Sequence, residues 1–174
     1  MTVQKFDKKS VLKGFAIKAI ITFITWLILY YGFIIPDGRL NRFLTNTVIS
    51  GTTFGLSILG YETSGKDDMV YIDNQPVVLV ADACNGLELF ALYVGFLLCF
   101  PGKWKYKLLF IPIGIVLIYI INVIREIILA LNYKFFQETF DFNHKYTYVF
   151  VVYLFVFAIW RYWLNRYSIL AKPN

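Results

Sequence analysis

Charge is scarce in this chain. Asp, Glu, Lys and Arg make up 16% of its 174 residues, against 59% hydrophobic and 20% aromatic. A water-soluble domain of this size would expose too much of that apolar surface, so the composition indicates an integral membrane protein. Histidine occurs once, as His144, and cysteine twice, as Cys84 and Cys99. That is too little for the paired ligand spacing of a zinc site, and no HExxH helix or phosphate-cradling glycine loop is present. No metal or other cofactor is therefore expected. Repeats and low-complexity linkers are missing too, which leaves one integral membrane domain over 1–174.

Four uncharged, mostly apolar runs occupy Ala19–Ile35, Leu89–Gly102, Leu108–Ile124 and Tyr146–Trp160. Each is shorter than the roughly 20 residues that cross a bilayer. Flanking residues with snorkelling tips, such as Lys18, Lys107 and Arg161, extend them to spanning length. The stretch IIPDGRL after the first run offers no small-residue cleavage site, so that helix reads as retained rather than as a signal peptide. The expected fold is an all-α membrane protein of about four transmembrane helices.

The net charge of +6 encodes topology. Lys5, Lys8, Lys9, Lys13, Lys18, Lys103, Lys105, Lys107, Arg161, Arg166 and Lys172 fall on one side if the four runs span, which leaves six of the 17 basic residues on the other. The positive-inside rule then places both termini in the cytoplasm, and nucleic acid is not an expected partner.

Residues 1–14 form a basic cytoplasmic lead, 36–84 an extracytoplasmic segment and 85–163 a helix bundle. Phe43–Tyr61 is uncharged but rich in Ser, Thr, Asn and Gly. Counting it as a fifth span would degrade the basic split to 9 against 8, so an interfacial helix fits better. Met69–Ile72 and Val77–Val80 are β-prone and flank Asp73-Asn74-Gln75-Pro76, a hairpin loop leading into Asp82-Ala83-Cys84. The second helix runs from near Asn85 to the Pro101-Gly102 stop, and the third surfaces through Asn122 and Arg125. An aromatic loop, Asn132–Lys145, precedes the fourth.

Helices two and three form a hairpin, so Cys84 and Arg125 share a membrane face whichever way Phe43–Tyr61 is read, and His144 joins them. Cys84 sits at a predicted helix N-terminus, where the dipole and a nearby cation favour a thiolate, the nucleophilic form. Its bland alternative is a buried structural cysteine. Cys99 lies fifteen residues further along the same helix, about 22 Å away, too far for a disulfide within the monomer. Arg125 follows an apolar run at membrane depth, with Asn122 on the same helix face, and its fork suits an oxyanion or a carboxylate. Its bland alternative is an ion pair with Glu88 or Glu126, or simple snorkelling to the headgroups. His144 could carry the thiol proton, or be an inert interfacial histidine.

Ala83-Cys84-Asn85-Gly86, Asn122 to Arg125, and His144, in that order, resemble the exosortase/archaeosortase family of polytopic membrane transpeptidases, in a compact bacterial form. The resemblance covers roughly residues 60–160. It implies an enzyme of the bacterial cytoplasmic membrane, with its active site outside, that cleaves C-terminal sorting signals of exported proteins. Such signals carry a short motif, a membrane helix and a basic tail. It further implies that Cys84 forms a thioester, Arg125 stabilises the oxyanion and His144 shuttles the proton, with Asn122, Glu88 and Asn85 supporting. Two departures stand out: Asn85 where serine is commoner, and a chain shorter than typical members. The rivals are a non-enzymatic membrane subunit with Arg125 in a structural ion pair, and a lipid-modifying acyltransferase using Cys84 as carrier.

Overall fold

A computed structural model describes residues 8–168. Lys5, Lys172 and the first seven residues of the basic lead lie outside the described residues. The chain is mostly helical, with one small sheet. Helix α1 (Lys8–Leu29) continues through a π-helical turn at Tyr30–Ile34 into α2 (Ile35–Asp37), and ends where Gly38 takes a left-handed φ of 65°. That is the helix-stop role for which glycine is favoured. Next come α3 (Arg39–Ile58), the antiparallel strands β1 (Thr63–Lys66), β2 (Met69–Ile72) and β3 (Gln75–Leu79), and a 3-10 turn at Asp82–Cys84. The rest is α4 (Leu87–Cys99), α5 (Trp104–Phe135), α6 (Gln137–Phe142), a second π-helical turn at Asn143–Thr147, and α7 (Tyr148–Tyr167).

By length and composition, three helices among the described residues can cross a membrane: Lys9–Asp37, Trp104–Phe135 and Gln137–Tyr167. Helix α4 is apolar but has 13 residues, about 20 Å of axis against a hydrocarbon core of about 30 Å. Its direction follows from its neighbours. Phe15 of α1 meets Phe96 and Phe100, Thr22 bonds to Cys99, and Tyr30 lies by Glu88, so α1 and α4 are antiparallel. Tyr93 packs on Gly114 and Gly86 lies by Asn122, so α4 and α5 are antiparallel as well. Phe110 packs on Tyr167 while Arg125 lies near Val149, which sets α7 against α5. The end of α1 and the start of α4 therefore meet at one end of the bundle, here the sheet end. Lys103, Lys105, Arg161 and Arg166 lie at the other.

Helix α3 does not return to the basic end. Its residues climb beside α5 in the same direction: Gly51 lies against Tyr119 and Val123, and Gly55 against Ile127. It buries a stripe of Asn41, Thr45, Val48, Ile49, Thr52 and Leu56 and exposes Phe43, Phe54 and Ile58. That spacing is the helical period of an amphipathic face. The sheet packs on the same stripe, with Gly65 admitting Ile49.

The expected hairpin is a three-stranded meander. Both connections are two-residue turns with positive φ at each position, Asp67-Asp68 and Asp73-Asn74, the turn geometry that matches strand twist. The second loop is therefore shorter than expected, and Gln75 and Pro76 belong to β3, an edge strand where proline's missing donor is tolerated. The expected aromatic loop at 132–145 is also corrected. It is helical on both sides of one break at Phe136 (φ −141°, ψ 54°), pinned by a bond from the Asn132 amide to Thr139.

Two hydrophobic cores result. One joins α3, the sheet and the end of α5 through Val48, Leu56, Val70, Ile72, Val80 and Leu129, with Cys84 at its margin. The other fills the bundle with Tyr93, Leu97, Phe100, Ile118, Val156 and Trp163. Lys107, expected to snorkel, turns inward instead and donates to the Leu98 carbonyl at 3.1 Å, closing the end of α4. Tyr93 is wholly buried on Gly114 and donates its hydroxyl to the Phe110 carbonyl at 2.8 Å. Gly114→Val drives side-chain atoms into that ring. The expected overpacking loss is about 1–3 kcal/mol, seen as a Tm lower by several degrees in detergent.

Candidate active site

The polar junction between the two cores carries the candidate chemistry. Along α5, Ile118 belongs to the bundle core and Leu129 to the sheet-end core, with Asn122 and Arg125 between them. Gly86, at φ 88°, turns the chain from the 3-10 segment into α4 and lies against Asn122. A side chain there would be strained by φ alone. This turn holds Cys84 three residues ahead of Leu87, so the thiol lies before the first turn of α4 rather than on it.

Cys84 and Arg125 are both 7% exposed. Arg125 Nη2 donates to Cys84 Sγ at 3.5 Å, and Nη1 donates to Asn122 Oδ1 at 3.3 Å. Asn122 Nδ2 in turn donates to the Cys84 carbonyl at 2.8 Å. One amide thus grips both the backbone of the cysteine and the guanidinium beside its sulfur, which is the use of the N-x-x-R spacing on one helix face. His144 Nε2 lies 3.7 Å from Sγ, and its ring stacks on Phe140 at 5.6 Å between centroids. His144 belongs to the π-helical turn between α6 and α7, not to a helix start after a loop.

Burial pushes the Cys84 thiol above its ordinary pKa; Arg125 pulls it down and Glu126 pushes it up. Burial thus works against the helix-terminal thiolate that the sequence suggests, and Arg125 works for it. A thiol becomes a nucleophile only on losing its proton, and the His144 Nε2 at 3.7 Å is a group that can accept one. The Arg125 donors beside the sulfur are placed to meet an oxygen on a carbon that the sulfur attacks.

The remaining expected residues divide. Asn85 is fully buried but aims away from the sulfur. Its Oδ1 accepts from the Leu87 N–H at 2.9 Å and its Nδ2 donates to Asn41 Oδ1 at 3.1 Å. Glu88 is exposed and is not the ion partner of Arg125; Glu126 is, at 3.7 Å. Glu88 and Tyr153 instead line both a small cavity of about 100 Å³ beside Arg125 and a larger apolar groove of about 670 Å³ between α1 and α4. Asn41 is a supporting residue that sequence reasoning missed. It is buried, holds Asn85, and donates to Asp82 at 3.3 Å. An asparagine on the apolar stripe of an amphipathic helix was the available signal. Among the described residues no three His, Cys, Asp or Glu side chains group so as to hold a metal ion.

The family model for transmembrane exosortases matches residues 11–164. No curated protein and no solved structure matches the chain.

Proposed function

Because the chain belongs to the transmembrane exosortase family, we propose that it is a membrane cysteine peptidase or transpeptidase with Cys84 as its nucleophile. One observation carries this reading: the Cys84 sulfur lies within 3.7 Å of His144 and 3.5 Å of Arg125, two residues brought from distant parts of the chain. His144 takes the thiol proton as Sγ attacks the scissile carbonyl. Arg125 balances the charge on the oxyanion, and His144 returns the proton to the leaving amine. A thioester on Cys84 remains; as an acceptor amine or water attacks it, His144 takes the incoming proton and returns it to the Cys84 sulfur when the C–S bond breaks. Asn122 holds Cys84 and Arg125 in register, and Asn85 fixes the turn that carries the thiol.

In this reading α1 and α5 cross outward and α4 and α7 inward, with the sheet end extracytoplasmic and both termini in the cytoplasm. The concentration of lysine and arginine at the opposite end supports that orientation. Helix α3 then lies outside or at the interface. The substrate is an exported protein whose C-terminal signal has a short motif, a membrane helix and a basic tail. The apolar groove beside α4 reaches Glu88, on the first turn after the thiol, and suits a lipid-embedded segment.

Trapping the thioester tests the reading. Rapid acid quench of cells co-expressing such a substrate is expected to leave the substrate's N-terminal portion joined to Cys84, released by hydroxylamine. Substrate processing with no hydroxylamine-sensitive adduct at Cys84 would sink it. A structural reading has one observation in its favour, the buried Arg125–Glu126 pair.

A further inference from the structure

The proposed chemistry leaves one buried acid without a role. Glu126 is wholly buried in α5, and among the described residues neither of its carboxyl oxygens has a hydrogen-bond partner. Among those residues its ion-pair contact is Arg125 Nη1, at 3.7 Å. Nη2 of the same guanidinium reaches the Cys84 sulfur at 3.5 Å. Taking an unpaired carboxylate out of water costs several kcal/mol, so the charge of Glu126 is tied to Arg125. A single guanidinium therefore faces two acids.

Resting on the reading of Cys84 as nucleophile, we infer that Glu126 is a positioning residue that competes with the Cys84 thiolate for Arg125 and so sets how readily the nucleophile ionises. With Glu126 ionised, the positive charge of Arg125 is already balanced. A thiolate beside that pair would add an uncompensated negative charge in a low-dielectric site, so the sulfur keeps its proton. With the charge of Glu126 removed, Arg125 is left to the sulfur alone, and ionisation becomes easier. The carboxylate and the Asn122 amide oxygen both lie against Nη1, the first at 3.7 Å and the second as a hydrogen-bond acceptor at 3.3 Å, while Nη2 reaches the sulfur. A free thiol on the oxidising side of a membrane gains from such restraint, because oxidation follows thiolate character.

Other titratable groups surround the turn that carries the thiol. Asp82 lies on its own turn, Glu88 on the first turn of α4, and His144 opposite, with Asp141 and Lys145 near the imidazole. The phenols of Tyr61, Tyr119, Tyr133 and Tyr148 pack on the sheet-end core that includes Cys84. From α3 the uncharged Asn41 reaches the turn, and β3 brings valines. Of the acids, Glu126 alone touches Arg125 at ion-pair distance and is cut off from water.

The test is the pH dependence of alkylation of the full chain in detergent, read at Cys84 by peptide mass spectrometry. Glu126→Gln, which is isosteric, is expected to lower the midpoint by about one pH unit or more. Glu126→Asp keeps the charge and is expected to stay near wild type. A Glu126→Gln midpoint equal to wild type overturns the inference, as does a shift of the same size in Glu126→Asp. If the glutamine variant is not monodisperse, Glu126→Met removes the charge in an apolar form of similar size, and the same fall is expected. A role in packing alone would change stability without moving the midpoint. The assay uses no substrate, so its outcome is separate from that of thioester trapping.

Discussion

Cys84→Ala is expected to abolish processing of a co-expressed exported substrate, with the rate falling by at least about 10⁴-fold, while the protein stays folded in the membrane. In the proposed mechanism the size of the loss follows from removing the atom that would form the covalent intermediate, a role no neighbouring group can take over. The second half of the expectation follows from packing. Cys84 lies at the margin of the sheet-end core, not at its centre, and the 3-10 turn is held by backbone bonds and by the Asn122 amide on the Cys84 carbonyl. Losing one sulfur there costs on the order of 1 kcal/mol. Immunoblots for the processed substrate, with gel filtration of the variant in detergent, read both halves. Normal processing by the folded alanine variant would remove Cys84 from the mechanism and favour the structural reading.

Arg125 needs a different design, because its loss has two consequences. Arg125→Ala strands Glu126 as a buried charge without a partner, which is expected to cost about 3–5 kcal/mol and would mimic a purely structural residue. The double variant Arg125→Met with Glu126→Gln removes both charges together. Its stability is expected to recover most of that loss, since the stranded charge is gone. Processing is expected to stay down by about 10²–10³-fold, the typical effect of deleting one oxyanion donor. Thermal unfolding in detergent and the processing immunoblot separate the two quantities. Recovery of both in the double variant would make Arg125 a structural ion pair and nothing more.

The parts of this site that were legible in the sequence are those fixed by helix geometry. Asn122 and Arg125 are three residues apart on a helix, so they had to share a face, and they meet in a bond of 3.3 Å. Cys84 and Arg125 flank an apolar hairpin, so they had to share an end of the bundle. What stayed hidden depended on contacts without a local signature. Strand β1 is Thr63-Ser64-Gly65-Lys66, polar and without β-branched repetition, and exists because β2 and α3 offer it a partner and a floor. The stretch 132–145 is aromatic but not periodic, and packing of Phe140 on Tyr133 and His144 holds it helical. The partner of Arg125 was open between Glu88 and Glu126. Deciding it needed the rotation of α4, which turns Glu88 out towards the groove.

Helix α5 has a consequence of its own. Its 32 residues run unbroken from Trp104 to Phe135, and both cores are built on that single rod. Neither lobe owns the junction: the bundle fixes the rod's lower half, the sheet end its upper half, and Arg125 rides between them. The other two members of the trio arrive on separate supports, Cys84 from the sheet and His144 from the aromatic turn. The spacing of Cys84, Arg125 and His144 is thus a seam where two turns meet one rod, with Asn122 of that rod holding the Cys84 carbonyl in register.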